Sequence, residues 1–403
     1  MSMASQLAEP LRLRKMTLPN RLIRSATFAG LADEDGVPPV AEVTALYERI
    51  LQGGTGSLVT GFAYVSPEGR AIQPGQSGFC TPAQTQAWGT ITQRLHRHFP
   101  DSPLVAQLAH TGRQTRTEVT GLPLIGASDR ACSYFRAPVR ALRTDEVPAR
   151  VQQFADAAAN AQQAGFDAVQ IHAAHGYLVH QFLSPWTNRR PDLWGQPTAF
   201  LTAIVEAIRE RCGDAFPVWI KLSWGEDRRP GIDLATATAT VAALDRLQVD
   251  LIEVSYGTME WPMNIFRGAC PVKVALRTNP LLNHYSFWGK LWWMLVRGLP
   301  HLRRLEGFAP AYNVPAAAAL QQGTRIPVVP VGGIRSLPEA LDCLAQGLPA
   351  VALCRPLIHD PAFAGRLLVG DSSPSACSNC NLCAVHCDSP QSLRCYHPKR
   401  REP

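Results

Sequence analysis

Several features that would place a chain outside the soluble globular proteins are missing here. The N-terminus has no basic segment followed by an apolar run, so we expect no signal peptide and a cytoplasmic location. No apolar stretch is long enough to cross a bilayer. The chain also lacks low-complexity segments and short internal repeats, and its 403 residues are 46% hydrophobic. This composition predicts a protein with a large buried core.

The sequence also lacks the motif G-x-G-x-x-G after its first predicted strand, and this absence helps to decide the fold. Short apolar runs typical of buried strands alternate with helical patterns along most of the chain. The predicted strands are 21–26, 57–61, 104–108, 168–172, 218–222, 251–254, 328–331 and 351–354. The predicted helices are 43–53, 148–164, 198–211, 234–247, 314–322 and 337–345. A doubly wound open sheet would require G-x-G-x-x-G after its first strand, and nothing of the kind follows 21–26. We therefore predict an α/β fold of the (β/α)8 TIM-barrel type over 1–370.

The charge and the cysteine content of the chain limit the classes of ligand that we expect it to bind. The net charge of +7 is mild and favours anionic ligands such as phosphates, without indicating nucleic acid. Six of the eleven cysteines are scattered, whereas five lie between Cys377 and Cys395. This distribution predicts reduced thiols and a metal site in a cysteine-rich tail, 371–403, instead of a disulfide framework.

The most informative segment follows the fourth predicted strand. His172, His175 and Tyr177 come together at the end of an apolar run. Imidazole N–H groups can hold an oxygen that gains negative charge, and a phenol can give up a proton. Polar residues that merely cap a strand would explain one histidine, but the three together favour a catalytic site.

Other strand ends carry polar or small residues, and the carboxyl ends of barrel strands are where such folds place function. Gly332 and Gly333 would let backbone N–H groups approach a phosphate, and Arg355 would add a fixed positive charge. Gln107 can both donate and accept hydrogen bonds, as the edge of a pyrimidine-like ring requires. Lys221 ends the fifth strand, where a buried ammonium needs an anionic partner.

These motifs, in this order, resemble the old yellow enzyme family of FMN-dependent ene-reductases, particularly its NADH:flavin oxidoreductase and 2,4-dienoyl-CoA reductase-like branch. The matching segments are L-P-N-R (18–21), S-A-T (25–27), G-G-T-G (53–56), V-S-P-E-G-R (65–70), Q-L-A-H-T-G-R (107–113), 170–177, V-G-G (331–333) and R-P-L (355–357). They occur in this order along residues 7–361, so the resemblance extends over nearly the whole chain.

The resemblance implies an FMN cofactor and an order of reaction. NADH or NADPH would reduce the flavin and leave, and an electron-poor alkene would then enter the same site in a ping-pong cycle. His172 and His175 would hold the activating oxygen of the alkene, and Tyr177 would be the proton donor. The implied cofactor contacts are Gly332, Gly333, Cys354 and Arg355 for the phosphate, Gln107 for the pyrimidine edge, Lys221 near N1/O2, and Ser25, Ala26, Thr27, Gly61 and Phe62 along the ring.

The tail resembles the [4Fe–4S] ligand set of dienoyl-CoA reductase relatives. The predicted ligands are Cys377, Cys380, Cys383 and Cys395, with Cys387 as an alternative fourth ligand. Zinc or unliganded thiols are the other interpretations. A cluster would also suit an oxidative amine or alicyclic dehydrogenase, the main alternative function. The remaining alternative is a phosphate-binding barrel without catalysis.

Two segments depart from the family pattern. Residues 193–198 are shorter than the corresponding loop of most relatives, which predicts a different loop over the active site. Residues 285–304, within an insertion at 280–310, are aromatic and basic. They favour a lid helix over the flavin or a helix at a homo-oligomer interface, with docking on a membrane surface as the alternative.

Overall fold

A computed structural model of the protein describes residues 5–398, and its centre is a closed barrel of eight parallel strands. The strands are β1 (Leu22–Arg24), β2 (Ser57–Val59), β3 (Leu104–Ala109), β4 (Ala168–Ala173), β5 (Val218–Ser223), β6 (Leu251–Ser255), β7 (Val328–Pro330) and β8 (Val351–Leu353). Consecutive strands pair in parallel from β1 to β7, β8 pairs with β1, and a bridge between Val331 and Ala352 closes the ring. The predicted (β/α)8 barrel is confirmed.

Helices surround the barrel. The main ones are α1 (Val40–Gln52), α2 (Pro82–His98), α3 (Val147–Gln163), α4 (Ala199–Cys212), α5 (Leu234–Arg246), α6 (Val314–Gln321), α7 (Leu337–Ala345) and α8 (Phe363–Leu368). Shorter helical segments are Ser5–Ala8, Thr117–Thr120, Leu178–Leu183, Pro262–Phe266, Val272–Thr278, Phe287–Trp293, Met294–Gly298, Leu299–Leu302, Arg355–His359 and Leu382–His386. Within residues 5–398, no helix is both long and apolar enough to cross a bilayer.

Helix α2 was absent from the sequence-based prediction. Its apolar residues are sparse, yet Trp88, Ile91 and Leu95 recur at helical spacing and are buried against the barrel. The helix begins at a reciprocal capping box in which Thr81 accepts from the backbone N–H of Gln84 and the Gln84 side chain accepts from that of Thr81. The sequence T-x-x-Q (81–84) could have predicted this capping box. The signal for the helix therefore lay in its cap more than in the periodicity of its apolar residues.

Side chains alternate between the inside and the outside of the barrel along each strand, and the inward-facing ones form two layers. Inward positions near the amino ends are apolar, with Val105, Trp219 and Leu251 packed in one cluster. An antiparallel hairpin, Leu11–Arg12 with Thr17–Leu18, covers this end and adds its leucines to the cluster. Two residues further along each strand, the inward positions become polar. The amino end of the barrel is therefore a plug, and chemistry is confined to the carboxyl end.

The tail returns to that carboxyl end instead of extending away. Arg335 binds Ser375 through both its backbone carbonyl and its side chain, and Asn381 accepts a hydrogen bond from Arg355 at 2.6 Å. Residues 280–310 lie in the connection between β6 and α6. Both unusual segments therefore lie over the mouth of the barrel.

Candidate active site

The mouth of the barrel contains two adjoining cavities that gather nearly all of the predicted site residues. The larger, about 1550 Å³ including the space open to solvent, is lined by Ala26, Thr27, Phe62, Gln107, His172, His175, Tyr177, Lys221, Cys354 and Arg355 among others. The smaller is lined by Ser25, Ala26, His175, Lys221, Gly332, Gly333, Cys354 and Arg355 among others. Gly61 borders a third, small space beside Phe62. A Cβ on Gly61 would lie 3.0 Å from the Thr27 carbonyl oxygen, so glycine lets these two rim segments approach closely.

A chain of buried polar side chains crosses the barrel beneath the cavities. The amide of Gln107 donates to Gln170 (2.6 Å), and that of Gln170 donates to Glu253 (2.8 Å). All three are inward-facing and at most 2% exposed. The sequence-based prediction included Gln107 but missed Gln170 and Glu253. A carboxylate inside the apolar β6 run was the available signal, because buried charges are paired.

Glu253 is the anionic partner that Lys221 requires. The Lys221 ammonium lies 2.8 Å from Glu253 Oε1 and 3.0 Å from Ser25 Oγ, and Ser25 also donates to the same oxygen. Burial acts to raise the pKa of Glu253, but Lys221, Ser25 and Gln170 outweigh it and lower that pKa below its ordinary value. The protein itself therefore supplies the counter-charge of Lys221 and positions its ammonium group at the cavity floor.

The two histidines form a bonded pair. His175 has φ +62°, which turns its ring back so that Nδ1 lies 3.2 Å from His172 Nε2, while Nε2 lies 2.8 Å from Ser255 Oγ. Burial, with a smaller contribution from Lys221, lowers the pKa of His172 to about 3, and burial next to His172 lowers the pKa of His175 well below its ordinary value. Both imidazoles are therefore neutral near pH 7, and each carries one N–H. An incoming oxygen acceptor would compete with these internal hydrogen bonds.

Tyr177 completes this wall of the cavity. Its ring centroid is 4.8 Å from that of His172 and 5.5 Å from that of Phe62. Burial, and then the negative charge of Asp388, raise the pKa of Tyr177 above its ordinary value. The phenol therefore stays protonated and can donate.

The tail contributes a carboxyl group that the sequence-based prediction missed. Asp388 lines the larger cavity and accepts hydrogen bonds from Gln73 (2.8 Å) and Asn279 (2.7 Å). Asn279 also donates to the Tyr134 hydroxyl at 2.7 Å. Burial raises the pKa of Asp388 to about 6. Only the return of the tail brings this group to the site, so local sequence carried no signal for it.

The smaller cavity has the chemistry of a phosphate cradle. Gly332 (φ +126°) and Gly333 (φ +78°) adopt backbone conformations that favour glycine. A Cβ on Gly332 would lie 2.5 Å from the Tyr312 ring, so the backbone is closely enclosed here. Arg355 borders both cavities, and one of its amino groups donates to the Arg267 carbonyl and to Asn381. A cavity bordered by glycine backbone, a positioned guanidinium and the larger adjoining cavity together fit the phosphate and ring of FMN.

The tail cysteines divide into two groups. Cys377, Cys380, Cys383 and Cys395 line one small cavity next to Arg355, and Cys383 also borders the larger cavity, whereas Cys387 borders the larger cavity alone. Burial raises the pKa of Cys377, and that of Cys383 to about 12. In the described part of the chain, no three His, Cys, Asp or Glu side chains are arranged to hold a metal ion. The described part of the tail does not fit a metal centre, and the iron–sulfur cluster stays a prediction.

The shortened segment at 193–198 has a structural role. It forms a short helical turn, Leu193–Gly195, which Asp192 caps and which buries Trp194 immediately before α4. Its residues are not among those that line the two cavities at the mouth. The sequence predicts a different loop over the active site at this segment, but residues from the β6–α6 connection and the tail occupy that position.

Known proteins resemble this chain in sequence and in fold. The model of the "NADH:flavin oxidoreductase / NADH oxidase family" matches residues 6–291. A 4,4'-dithiodibutanoate disulfide reductase of Rhodococcus erythropolis is 25% identical over 93% of this chain and 91% of its own. A probable NADH-dependent flavin oxidoreductase, YqiG, of Bacillus subtilis (strain 168) is 28% identical over 90% and 88%. The structure of an old yellow enzyme homologue from Zymomonas mobilis has the same fold, with a TM-score of 0.69, 23% identity, and coverage of 93% of this chain and 96% of that one.

Proposed function

Because the chain belongs to the NADH:flavin oxidoreductase / NADH oxidase family, whose members are FMN enzymes that use NADH or NADPH, we propose that it reduces the activated C=C bond of an enone- or enoyl-type substrate. The observation that carries this proposal is the wall formed by His172, His175 and Tyr177. Two neutral N–H donors and one phenol lie within one apolar cavity, next to a cradle suited to FMN.

Bound FMN would supply the hydride chemistry, accepting two electrons from NADH or NADPH and giving them to the β-carbon of the alkene. The protein would hold its phosphate on Gly332, Gly333 and Arg355. Gln107 would present its amide to the pyrimidine edge, with its orientation set by Gln170. Lys221 would lie near N1/O2, already paired with Glu253.

The histidine pair would act on the substrate oxygen. When hydride reaches the β-carbon, negative charge builds on the activating carbonyl oxygen. Neutral N–H donors held in a buried cavity stabilise such charge once the substrate oxygen has replaced their internal hydrogen-bond partners. The hydrogen bonds between Ser255 and His175 and between His175 and His172 would orient both rings for this task.

Tyr177 would deliver the proton that balances the reaction. Its O–H would protonate the α-carbon, and the phenolate would regain a proton from solvent before the next turnover. NAD(P)H and the alkene would occupy the single cavity in turn, which predicts ping-pong kinetics. The presence of all three groups argues against a barrel without catalysis.

The test is a visible spectrum of protein purified without oxygen, recorded before and after addition of NADPH or NADH and then after addition of 2-cyclohexenone. We expect flavin bands that the nicotinamide bleaches and that the enone restores with formation of one equivalent of saturated ketone. Flavin that is bleached but not restored by any activated alkene would overturn the proposal of ene reduction. The same assay with a disulfide or an amine would then define the reaction.

A further inference from the structure

The helical segment over the cavity mouth has an exposed apolar face. Phe287–Trp293, Met294–Gly298 and Leu299–Leu302 follow one another as one helical rod. Phe287 and Trp288 are each 74% exposed and Trp292 is 61% exposed. Of the thirteen large hydrophobic side chains that are exposed in the described residues, eight lie between Tyr285 and Leu299. Soluble monomers seldom expose so much contiguous aromatic surface without a partner.

The same part of the chain concentrates the positive charge. Residues 261–305 contain no Asp or Glu and seven Lys or Arg: Arg267, Lys273, Arg277, Lys290, Arg297, Arg303 and Arg304. That excess equals the net charge of the whole chain, +7, so the other residues are balanced. Arg297 and Arg303 are exposed, and neither forms an ion pair within residues 5–398.

The opposite face of the rod lines the active-site cavity. Trp293, Met294, Gly298, His301 and Leu302 border the same space as His172 and Tyr177. The rod is therefore a roof with its inner face on the cavity and its outer face on solvent.

We propose that this rod docks the enzyme on an anionic lipid bilayer, with Trp288 and Trp292 in the interfacial layer and the arginines at the headgroups. Tryptophan favours this layer because its ring is apolar and its N–H is polar, and the positive residues beside it match negative headgroups. Docking would open the cavity towards the lipid, so that an apolar substrate enters from the bilayer. This last point rests on the proposed function, whereas the docking does not.

Charge argues against a second copy of the chain as the occupant. Two copies that pair through a twofold axis bring the same surface together. Here that would place unpaired arginines against their own counterparts, with no acidic residue in 261–305 to separate them. A bilayer with anionic headgroups covers the aromatic residues and neutralises the cations at once.

The test is flotation of the flavin-loaded protein with vesicles of phosphatidylcholine alone or with one-third phosphatidylglycerol. We expect binding to the mixed vesicles that is at least tenfold stronger than to the neutral ones and that falls with added salt. Trp288→Ser with Trp292→Ser should lower partitioning at least tenfold. The matched control, Leu193→Ser with Val369→Ser, removes side chains that are 61% and 84% exposed elsewhere and should change it less than twofold.

Three results would overturn the proposal: no flotation of the wild type, equal flotation of both double variants, or a wild-type dimer that the tryptophan substitutions dissociate without any vesicle binding. The last result would assign the face to a second copy. Flavin content reports folding of each variant. A protein that floats but fails to reduce enones would contradict the proposed function alone.

Discussion

At the scale of the residue, the side chains of the cavity wall act by donating hydrogen bonds inside a buried cavity. His172 and His175 are the donors we assign to the substrate oxygen, and phenols bind such sites because their oxygen resembles the charged oxygen of the reaction. His172→Ala with His175→Ala should raise the dissociation constant of p-hydroxybenzaldehyde at least a hundredfold, which is the loss of about 3 kcal/mol from two donors to a charged oxygen. The FMN should stay bound.

The measurement is the charge-transfer absorbance during titration with the phenol. His98→Ala, at an exposed imidazole outside the cavity, is the matched control and should leave the titration unchanged. A double variant that keeps the charge-transfer band would show that the oxygen binds elsewhere.

The neutrality of these imidazoles also makes stability depend on pH. The unfolded chain binds a proton at His172 below about pH 6.5, whereas the folded pKa is about 3. The contribution of His172 to the free energy of unfolding is therefore fully present above the unfolded pKa. It is lost as the pH falls towards the folded pKa, by about 1.4 kcal/mol per pH unit.

Urea unfolding of His172→Gln and of the wild type between pH 4 and pH 7 measures this directly. The variant should lose less stability on acidification, by about 1.4 kcal/mol per unit. Parallel curves would mean that His172 accepts a proton in the folded protein.

Among whole elements, three rim connections are held by one carboxylate. Glu260, after β6, accepts from Arg113, after β3, and from Arg228, after β5, each at 2.7 Å. Because Arg113 and Glu260 are almost fully buried, Glu260→Gln leaves a buried guanidinium without a counter-charge and should cost about 3 kcal/mol of stability. Glu118→Gln, at the exposed pair with Arg116, should cost less than about 1 kcal/mol. If Glu260→Gln and Glu118→Gln have equal midpoints in urea denaturation, Glu260 does not hold these three connections together.

The turn after β7 has a sharper requirement. Gly332→Ala places a Cβ against Tyr312 and into the phosphate cradle, so FMN affinity should fall at least tenfold. Gly347→Ala is the matched control, because its φ is also positive (+84°) but its Cβ would meet no atom within 4 Å. Both variants should lose about 1 kcal/mol of stability from backbone strain, and Gly332→Ala should lose more because its Cβ also meets the Tyr312 ring. Fluorescence titration of apoprotein with FMN separates the two effects, and equal affinities would move the phosphate away from Gly332.

For the molecule as a whole, the open question is the tail. The cysteines that share a cavity are Cys377, Cys380, Cys383 and Cys395, and a cluster would require them to close around iron. If it forms, protein purified without oxygen should contain iron and sulfide, Cys395→Ala should lose them, and Cys387→Ala should retain them because Cys387 faces the other cavity. Iron and sulfide analysis decides this. A metal-free wild type would contradict the predicted cluster.

Much of the fold and half of the site were readable from local patterns. The boundaries of the barrel strands were predicted to within two residues, because parallel strands buried on both sides are continuous apolar runs. Helix α2 was missed because its polar residues hide a sparse periodicity. Residues at strand ends, such as Gln107, Lys221 and the histidines, were predicted because a barrel brings all carboxyl ends of its strands to one rim.

The sequence by itself determined the barrel, its working end and the chemistry of the His172–Tyr177 segment, since each depends on periodicity or on neighbours along the chain. Only the tertiary structure decided which groups meet across the barrel. Lys221 pairs with Glu253 from the next strand, Asp388 lies beside Tyr177 from more than two hundred residues away, and Cys395 joins the cysteine cavity while Cys387 leaves it. These contacts depend on closure of the barrel and the return path of the tail, and no local pattern encodes a distance between segments far apart in the chain.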